Sequence, residues 1–215
     1  MADAETRTYD DPCGVARALD VIGQRWAVLV VRELLLGPKR FRDLLQGLHG
    51  MSPNVLSQRL RELEASGVVN REAIGPPVGA AVYRLTDVGA ALEPVLIELG
   101  RWGRRRPQHA EGPMSTDALW LALRTTFDPA RSGDLAATIE LRVDTDRVTL
   151  SVADRRLTMH RGSASSNPDA VVAGDVAGVR AMVYRPATVA EVVGAGTVTI
   201  EGDLPAVQRL VDCLR

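Results

Sequence analysis

The sequence predicts an α+β protein with two domains, and three observations carry this prediction. Residues 1–107 hold helical patterns followed by two short β-like segments around a turn rich in glycine and proline. Residues 114–215 alternate β-like and helical segments after a polar, proline-bearing stretch. The length of 215 residues fits one large domain or two small ones, since domains hold about 100–150 residues each, and the change of pattern favours two.

The composition is that of an ordinary globular chain with an aliphatic core. Hydrophobic residues make up 46%, charged residues 25% and aromatic residues 4%, which argues against general disorder. The net charge of −1 gives no nucleic-acid signal for the chain as a whole. Residues 36–84, however, hold seven Lys and Arg against four Asp and Glu, and this local excess indicates an anionic partner.

The two cysteines, Cys13 and Cys213, form neither a metal-ligand spacing nor a disulfide framework. No signal peptide is recognisable, and the longest apolar stretch, 26–31, is far too short to span a bilayer. We therefore expect a reduced, cytoplasmic protein without membrane contact. The sequence indicates no cofactor and no metal.

Helical spacing organises the first half from Pro12 onward. Apolar residues three and four apart, interrupted by glycine and proline, predict helices over 12–23, 26–36 and 41–48. Ser52-Pro53 is a strong start for a further helix over 52–66, because serine suits the N-cap and proline suits the first turn. Segments 68–72 and 81–85 then predict a two-stranded hairpin with its tip at 75–79. Helices followed by a hairpin are the order of a winged helix-turn-helix domain.

A long helix is expected to close the first half. Thr86 caps it, Pro94 kinks it, and it runs to Trp102. Leu96 and Ile97 widen its apolar surface beyond the need of one small domain, which predicts a dimer contact through this helix and the first one. Its main apolar stripe consists of Val88, Leu92, Val95, Leu99 and Trp102.

The helix over 52–66 has two chemically different faces. At 100° per residue, Leu56, Leu60 and Leu63 share the face that would seat it on the core. The other positions carry amides and arginines, which read base edges, and the helix N-terminus suits a phosphate. A polar outer face is most often only solvated, but a capped polar helix before a hairpin favours duplex DNA. The residues expected to contact DNA are Arg40, Arg42, Ser52, Asn54, Val55, Ser57, Gln58, Arg59, Arg61 and Arg71.

A set of short segments between Cys13 and Trp102 is highly specific as a group. The segments are CGVARALDVIGQRW (13–26), RELLLGP (32–38), RFRDL (40–44), SPNVLSQRLREL (52–63), GVV (67–69), YRLT (83–86) and Gly89. Together they closely resemble the HxlR-type winged-helix regulators, relatives of the MarR group. The resemblance implies a homodimer with two recognition helices in successive major grooves. The turn at 75–81 departs from the family because it lacks basic residues, which argues against minor-groove contact by its tip.

Cys13 matches a position that cysteine often occupies in this family, and in some members that cysteine is a redox sensor. Sensing needs an accessible thiolate of low pKa. Asp10 and Asp11 would disfavour a thiolate, whereas the helix N-terminus would favour one. Cys13 is therefore a redox candidate, with a structural thiol at a helix start as the alternative.

The second half is expected to form a mainly antiparallel sheet with helices. Its pattern predicts strands over 137–143, 147–152, 157–161, 170–173 and 197–201, and helices over 114–127, 176–184, 187–194 and 204–214. The segments GTVTIEGDL (196–204) and NPDAVV (167–172) resemble sterol carrier protein-like domains. That resemblance implies an α/β sandwich around an apolar tunnel for lipid or acyl chains, although the same residues would equally fill a core. The tunnel candidates are Trp120, Leu123, Phe127, Met159, Met182 and Val193.

No catalytic constellation accompanies these features. His109 and His160 lack metal-ligand spacing, and the serines of 163–166 have no recognisable base. We therefore expect no enzyme, but a homodimeric regulator that reads a palindromic operator in double-stranded DNA under the control of a small apolar ligand. A lipid or acyl carrier with an N-terminal dimerisation module is the alternative. The expected domain limits are 1–11 for a flexible N-terminus, 12–105, a linker at 106–113, and 114–215.

Overall fold

The computed structural model describes residues 8–73, 81–107, 112–184 and 188–215. The chain divides into two compact units, Met1–Leu96 and Ile97–Arg215, which we call the N-terminal and C-terminal units. The predicted wing tip, the start of the predicted flexible N-terminus, the middle of the predicted linker, His109 and the predicted helix start at Ala187 lie outside the described residues. The domain limits taken from the sequence stay a prediction.

The N-terminal unit has the predicted winged-helix arrangement. In chain order its elements are α1 (Gly14–Ile22), α2 (Ala27–Leu34), β1 (Lys39–Arg40), α3 (Phe41–Gly47), α4 (Pro53–Ala65), β2 (Val69–Ala73), β3 (Ala81–Leu85), α5 (Asp87–Ala90) and the first four residues of α6 (Glu93–Gly103), a helix whose remainder belongs to the C-terminal unit. The strands form an antiparallel sheet in the order β1-β3-β2. Leu44, Leu56 and Leu63 are completely buried in its aliphatic core.

Strand β1 is an element that the sequence analysis misses. Lys39 pairs with Tyr83 and Arg40 with Val82 on β3. Two residues directly after Gly37-Pro38 cannot display a period-two pattern, so nothing local marks them as a strand. The pairing turns the predicted hairpin into a three-stranded sheet and fixes the start of α3.

The long helix predicted over 86–102 is two helices, and the predicted kink at Pro94 is wrong. Helix α5 ends at Ala90 and α6 begins at Glu93, so Pro94 lies in the first turn of a new helix, where proline is tolerated. Thr86 does cap α5, since its Oγ1 accepts a hydrogen bond from the Gly89 N–H at 3.1 Å. Gly89 is required there because a Cβ would lie 2.1 Å from the carbonyl oxygen of Val68.

The apolar stripe predicted for this region is exposed on both helices. Val88 on α5 and Val95, Leu99 and Trp102 on α6 are 65%, 52%, 49% and 61% exposed, whereas Leu96 is buried at 3% exposure. The excess apolar surface expected in this region is therefore present, but it consists of the stripe and not of Leu96.

The C-terminal unit is a five-stranded mixed sheet with helices, as predicted. Its elements are α7 (Thr116–Thr126), α8 (Pro129–Ser132), β4 (Ala137–Val143), β5 (Asp146–Ala153), β6 (Arg156–Arg161), β7 (Ala170–Gly174), α9 (Val176–Tyr184), α10 (Val189–Gly194), β8 (Val198–Gly202) and α11 (Leu204–Cys213). The strand order is β6-β5-β4-β7-β8, and only the β4–β7 pair is parallel among these strands. Every helix in the described part of the chain is too short or too polar to cross a membrane.

Candidate nucleic-acid interface

Helix α4 is built as the sequence predicts. The Oγ of Ser52 accepts a hydrogen bond from the Val55 N–H at 3.4 Å, and Pro53 occupies the first helical position. Leu56, Leu60 and Leu63 are at most 2% exposed. Their burial anchors the helix on the core and fixes which residues it presents to solvent.

The opposite side of α4 is a polar surface. Asn54, Gln58 and Arg61 are exposed, and Val55 and Ser57 lie half-buried beside them. Amide and guanidinium groups on an accessible helix can form the paired hydrogen bonds that distinguish base pairs in a major groove. Of the ten predicted contact residues, seven are exposed, Val55 and Ser57 are half-buried, and one is buried. We define the exposed residues Asn54, Gln58 and Arg61 as the recognition face.

Arg59 does not belong to that surface, which corrects the prediction for this residue. It is only 8% exposed, one of its Nη atoms pairs with Glu62, and its buried Nε has no hydrogen-bond partner among the described residues. At 100° per residue, position 59 lies nearer to Leu63 than to Gln58. Arg59 thus lies along the rim of the core, where its guanidinium is not presented to solvent.

Glu62 is a residue of this interface that the sequence analysis misses. Its Oε1 accepts a hydrogen bond from Gln58 Nε2 at 3.0 Å, and its Oε2 accepts from Arg59. The spacings of four and three residues are those at which helical side chains meet, so this signal was available in the sequence. Through these contacts Glu62 orients the amide of Gln58 in the recognition face.

Three arginines flank the recognition face in sequence. Arg40 is exposed as the N-cap residue of α3, and Arg71 is exposed on β2 opposite Tyr83. The side chain of Arg42 is 82% exposed, with its Nε 3.4 Å from Asp43. Exposed guanidinium groups of this kind suit phosphate contacts, which position a protein on DNA without reading its sequence.

A buried carboxylate holds the strand that carries Arg40. Glu33 on α2 is completely buried, and its oxygens accept from Arg32 Nη2 at 2.8 Å and Lys39 Nζ at 3.0 Å. A Cβ at Gly47 would lie 2.2 Å from Glu33 Oε2, so α3 approaches the same carboxylate closely. Lys39 is therefore committed to an internal ion pair that ties β1 to α2.

The two cysteines differ in their surroundings. The backbone N–H groups of Val15 and Ala16, in the first turn of α1, lower the pKa of the exposed thiol of Cys13, which is the N-cap residue of this helix. The carboxylate of Asp11 accepts the Cys13 backbone N–H at 2.8 Å. Burial raises the pKa of Cys213, and the charge of Asp212 acts in the same direction. The helix N-terminus thus outweighs the carboxylates expected to disfavour a Cys13 thiolate.

The six tunnel candidates of the C-terminal unit do not surround one cavity. Leu123 and Met182 line a void of 10 Å³ between the sheet and helices α7, α9 and α11, which is about the space of one water molecule. Trp120 and Phe127 are buried away from it, and its lining does not include the half-exposed Met159 or Val193. These six side chains therefore do not line one common void among the described residues, and the tunnel stays a prediction.

Helices α1 to α4 precede a hairpin of antiparallel strands, and α4 presents a polar face to solvent. These features define a winged-helix DNA-binding module of a transcription regulator. The chain belongs to the HxlR-like helix-turn-helix family, whose family model matches residues 21–111.

Known regulators match the same region of the chain. The HTH-type transcriptional regulator YvaP of Bacillus subtilis is 43% identical over 86 residues, which are 40% of this chain and 80% of that protein. YkvN of the same organism is 38% identical over 102 residues, 46% of this chain and 86% of that protein. Among solved structures, the redox regulator HypR in its oxidized form is 33% identical, with a TM-score of 0.43, covering 45% of this chain and 99% of that one.

The C-terminal region matches a different family. Residues 110–215 fit the model of the alkyl sulfatase C-terminal family, a sterol carrier protein-like group. The family model thus names a narrower group than the one the sequence analysis inferred. The relatives of the N-terminal region are transcription regulators rather than enzymes, although the C-terminal match is to a domain of an enzyme family.

Proposed function

We propose that the protein is a homodimeric transcription regulator that reads a palindromic operator in double-stranded DNA in the cytoplasm. The observation that carries the proposal is the recognition face, Asn54, Gln58 and Arg61, held outward by a buried leucine stripe. Exposed Arg40 and Arg71 supply phosphate contacts for the same module. The alternative, a lipid carrier with an N-terminal dimerisation module, gives no reason for such a face.

Exposed apolar side chains support the dimer. Val95, Leu99 and Trp102 on α6 and Val15 and Leu19 on α1 are between 42% and 68% exposed. Apolar surface of this extent on two helices is typical of a protein–protein contact. A second copy of the chain would cover it symmetrically and set two α4 helices about one DNA turn apart.

In vitro selection from a random duplex library tests the proposal. The full-length protein should enrich an inverted repeat whose half-sites lie about 10 base pairs apart, as two recognition helices in successive major grooves require. The variant Gln58→Ala should lose the enrichment, while Arg156→Ala on the C-terminal unit should retain it. Enrichment of no sequence by the dimer would overturn the proposed function.

We further propose that a small ligand on the C-terminal unit controls DNA binding. The match to a sterol carrier protein-like family and the attachment of that unit to a DNA-binding module support this control. A ligand regulates only if it prefers one DNA-binding state over the other.

A further inference from the structure

An open groove of about 710 Å³ lies on the C-terminal unit, separate from the packed core beneath the sheet. Its size is within the range of small-molecule sites. Residues from α7 and α9, together with the two residues that follow α11, form most of its walls. The apolar part is lined by Met114, Ala122, Val183 and Leu214.

Cationic groups converge on the same groove. Arg104, Arg180 and Arg215 line it, and its ten described lining residues include no Asp or Glu. Arg215 is fixed by hydrogen bonds from Nε to the Val183 carbonyl at 3.1 Å and from Nη2 to the Met182 carbonyl at 2.9 Å. The groove is therefore apolar along its walls and positively charged at its rim.

Tyr184 adds a hydrogen-bond donor to this positive rim. Burial raises the pKa of its phenol, while Thr126 and the nearby charges of Arg104 and Arg180 act in the opposite direction. The phenol stays protonated at neutral pH and lies near both guanidinium groups. An O–H donor beside two positive charges suits an oxyanion.

We propose that this groove binds one anionic amphiphile, with its carboxylate or sulfate head group at Arg104, Arg180 and Tyr184 and its alkyl chain along the apolar walls. This inference rests on the proposed ligand control and names the ligand class. The 10 Å³ void beneath the sheet is too small for an alkyl chain.

The groove has a direct contact to α6. A Cβ at Gly100 would lie 2.6 Å from Cγ2 of Thr125, a groove residue on α7, and Arg104 immediately follows α6. A ligand that moves Thr125 or Arg104 therefore acts on the helix that carries the exposed Leu99 and Trp102. A change in the packing of that helix would alter the spacing of two recognition helices in a dimer.

Calorimetric titration of the full-length protein tests the site with decanoate, decyl sulfate and decanol, each below its aggregation limit. At least one of the two anions should bind at least 10-fold more tightly than decanol, and the tighter anion identifies the head group. Arg104→Gln and Arg180→Gln should each weaken that binding at least 10-fold, while Arg156→Gln, outside the groove, should not. Equal affinity for decanol, or unchanged affinity in both groove variants, would overturn the proposal.

Operator titrations with and without the bound anion distinguish a failure of the groove proposal from a failure of the proposed regulator. DNA affinity should change at least 5-fold on adding the anion, and this change should disappear in Arg180→Gln. Anion binding without any DNA binding would refute the regulator but leave the groove intact. DNA binding with no anion binding would refute the groove alone. Unchanged thermal unfolding of both variants shows that lost binding is not lost folding.

Discussion

The two units of this chain differ in how well their sequence patterns predict the accessible surface. In the N-terminal unit, the leucines of α4 fill the core, and most of the polar residues between them face solvent. In the C-terminal unit, four of the six residues expected to line a tunnel are buried and two are half-exposed, and the larger accessible space is an outer groove. The proposed recognition surfaces of both units therefore lie outside their packed cores.

This difference shows what an apolar pattern can and cannot specify. Hydrophobic periodicity identifies the side of an element that leaves water. Whether the space behind that side is filled or hollow depends on how side-chain volumes from distant segments fit together.

The largest expected effect is on the packed C-terminal core. Leu150→Ala should lower the free energy of unfolding by about 2–5 kcal/mol, because it removes a side chain that is 1% exposed and leaves a cavity. Urea unfolding followed by circular dichroism measures it. Leu204→Ala, at a leucine that is 42% exposed, should change the same quantity by less than about 0.5 kcal/mol. Equal small effects would show that a hollow interior already exists.

The next effect concerns the exposed side of α6. Leu99→Glu places a charge on the proposed dimer surface and should leave a monomer, with DNA affinity lowered roughly 100-fold because the two half-sites are no longer bound together. Light scattering and fluorescence anisotropy measure the two changes. Leu204→Glu, at a similarly exposed leucine, is the control. A dimeric Leu99→Glu variant would place the dimer contact elsewhere.

Two arginines on α4 give a sharper test within one helix. Arg61→Ala should weaken operator binding by about 1–3 kcal/mol, if it reads a base, without changing stability. Arg59→Ala should instead lower stability, because Arg59 is buried and pairs with Glu62. Anisotropy titration and urea unfolding of both variants distinguish these roles. Interchanged results would contradict the recognition face defined by exposure.

The smallest effect separates the two cysteines. The lowered pKa of exposed Cys13 gives it more thiolate at neutral pH than an ordinary thiol, while the raised pKa of buried Cys213 gives it less. Iodoacetamide at pH 7.5 should therefore alkylate Cys13 roughly 10-fold faster, as peptide mass spectrometry would show. The rate at Cys13 should fall as the pH drops through its lowered pKa. Equal rates in the folded protein would disprove the difference.

Much of the fold follows from local signals in the sequence. Ser52-Pro53 marks the start of α4, Thr86 caps α5, and period-two alternation locates β4 and β5. These features depend on neighbouring residues only, so a single sequence displays them. Their agreement extends to the recognition face, whose residues follow from the helical phase set by the leucines.

The sequence predictions fail where contacts between distant segments of the chain determine the structure. Strand β1 exists because β3 lies beside it. Periodicity shows that α6 carries apolar residues on more than one side, but packing partners decide that Leu96 is the buried one. The burial of Arg59 depends on how the rim of the core closes around α4. The groove joins residues from Arg104 to Arg215, which no local spacing connects.

The internal ion pairs also set how strongly this protein should respond to ionic strength. Of the seven Lys and Arg residues in 36–84, Lys39 and Arg59 have largely buried side chains that are held in ion pairs. The other five, Arg40, Arg42, Arg61, Arg71 and Arg84, are exposed. If each of these five displaces one counterion, a dimer neutralises about ten phosphates, and the logarithm of its affinity falls with a slope of about −9 against the logarithm of salt concentration. Counting all seven cations would make that slope about −13. Ion pairs with buried carboxylates such as Glu33 therefore lower the sequence-independent affinity for DNA below what the number of Lys and Arg residues suggests. A larger share of the operator affinity must then come from base contacts.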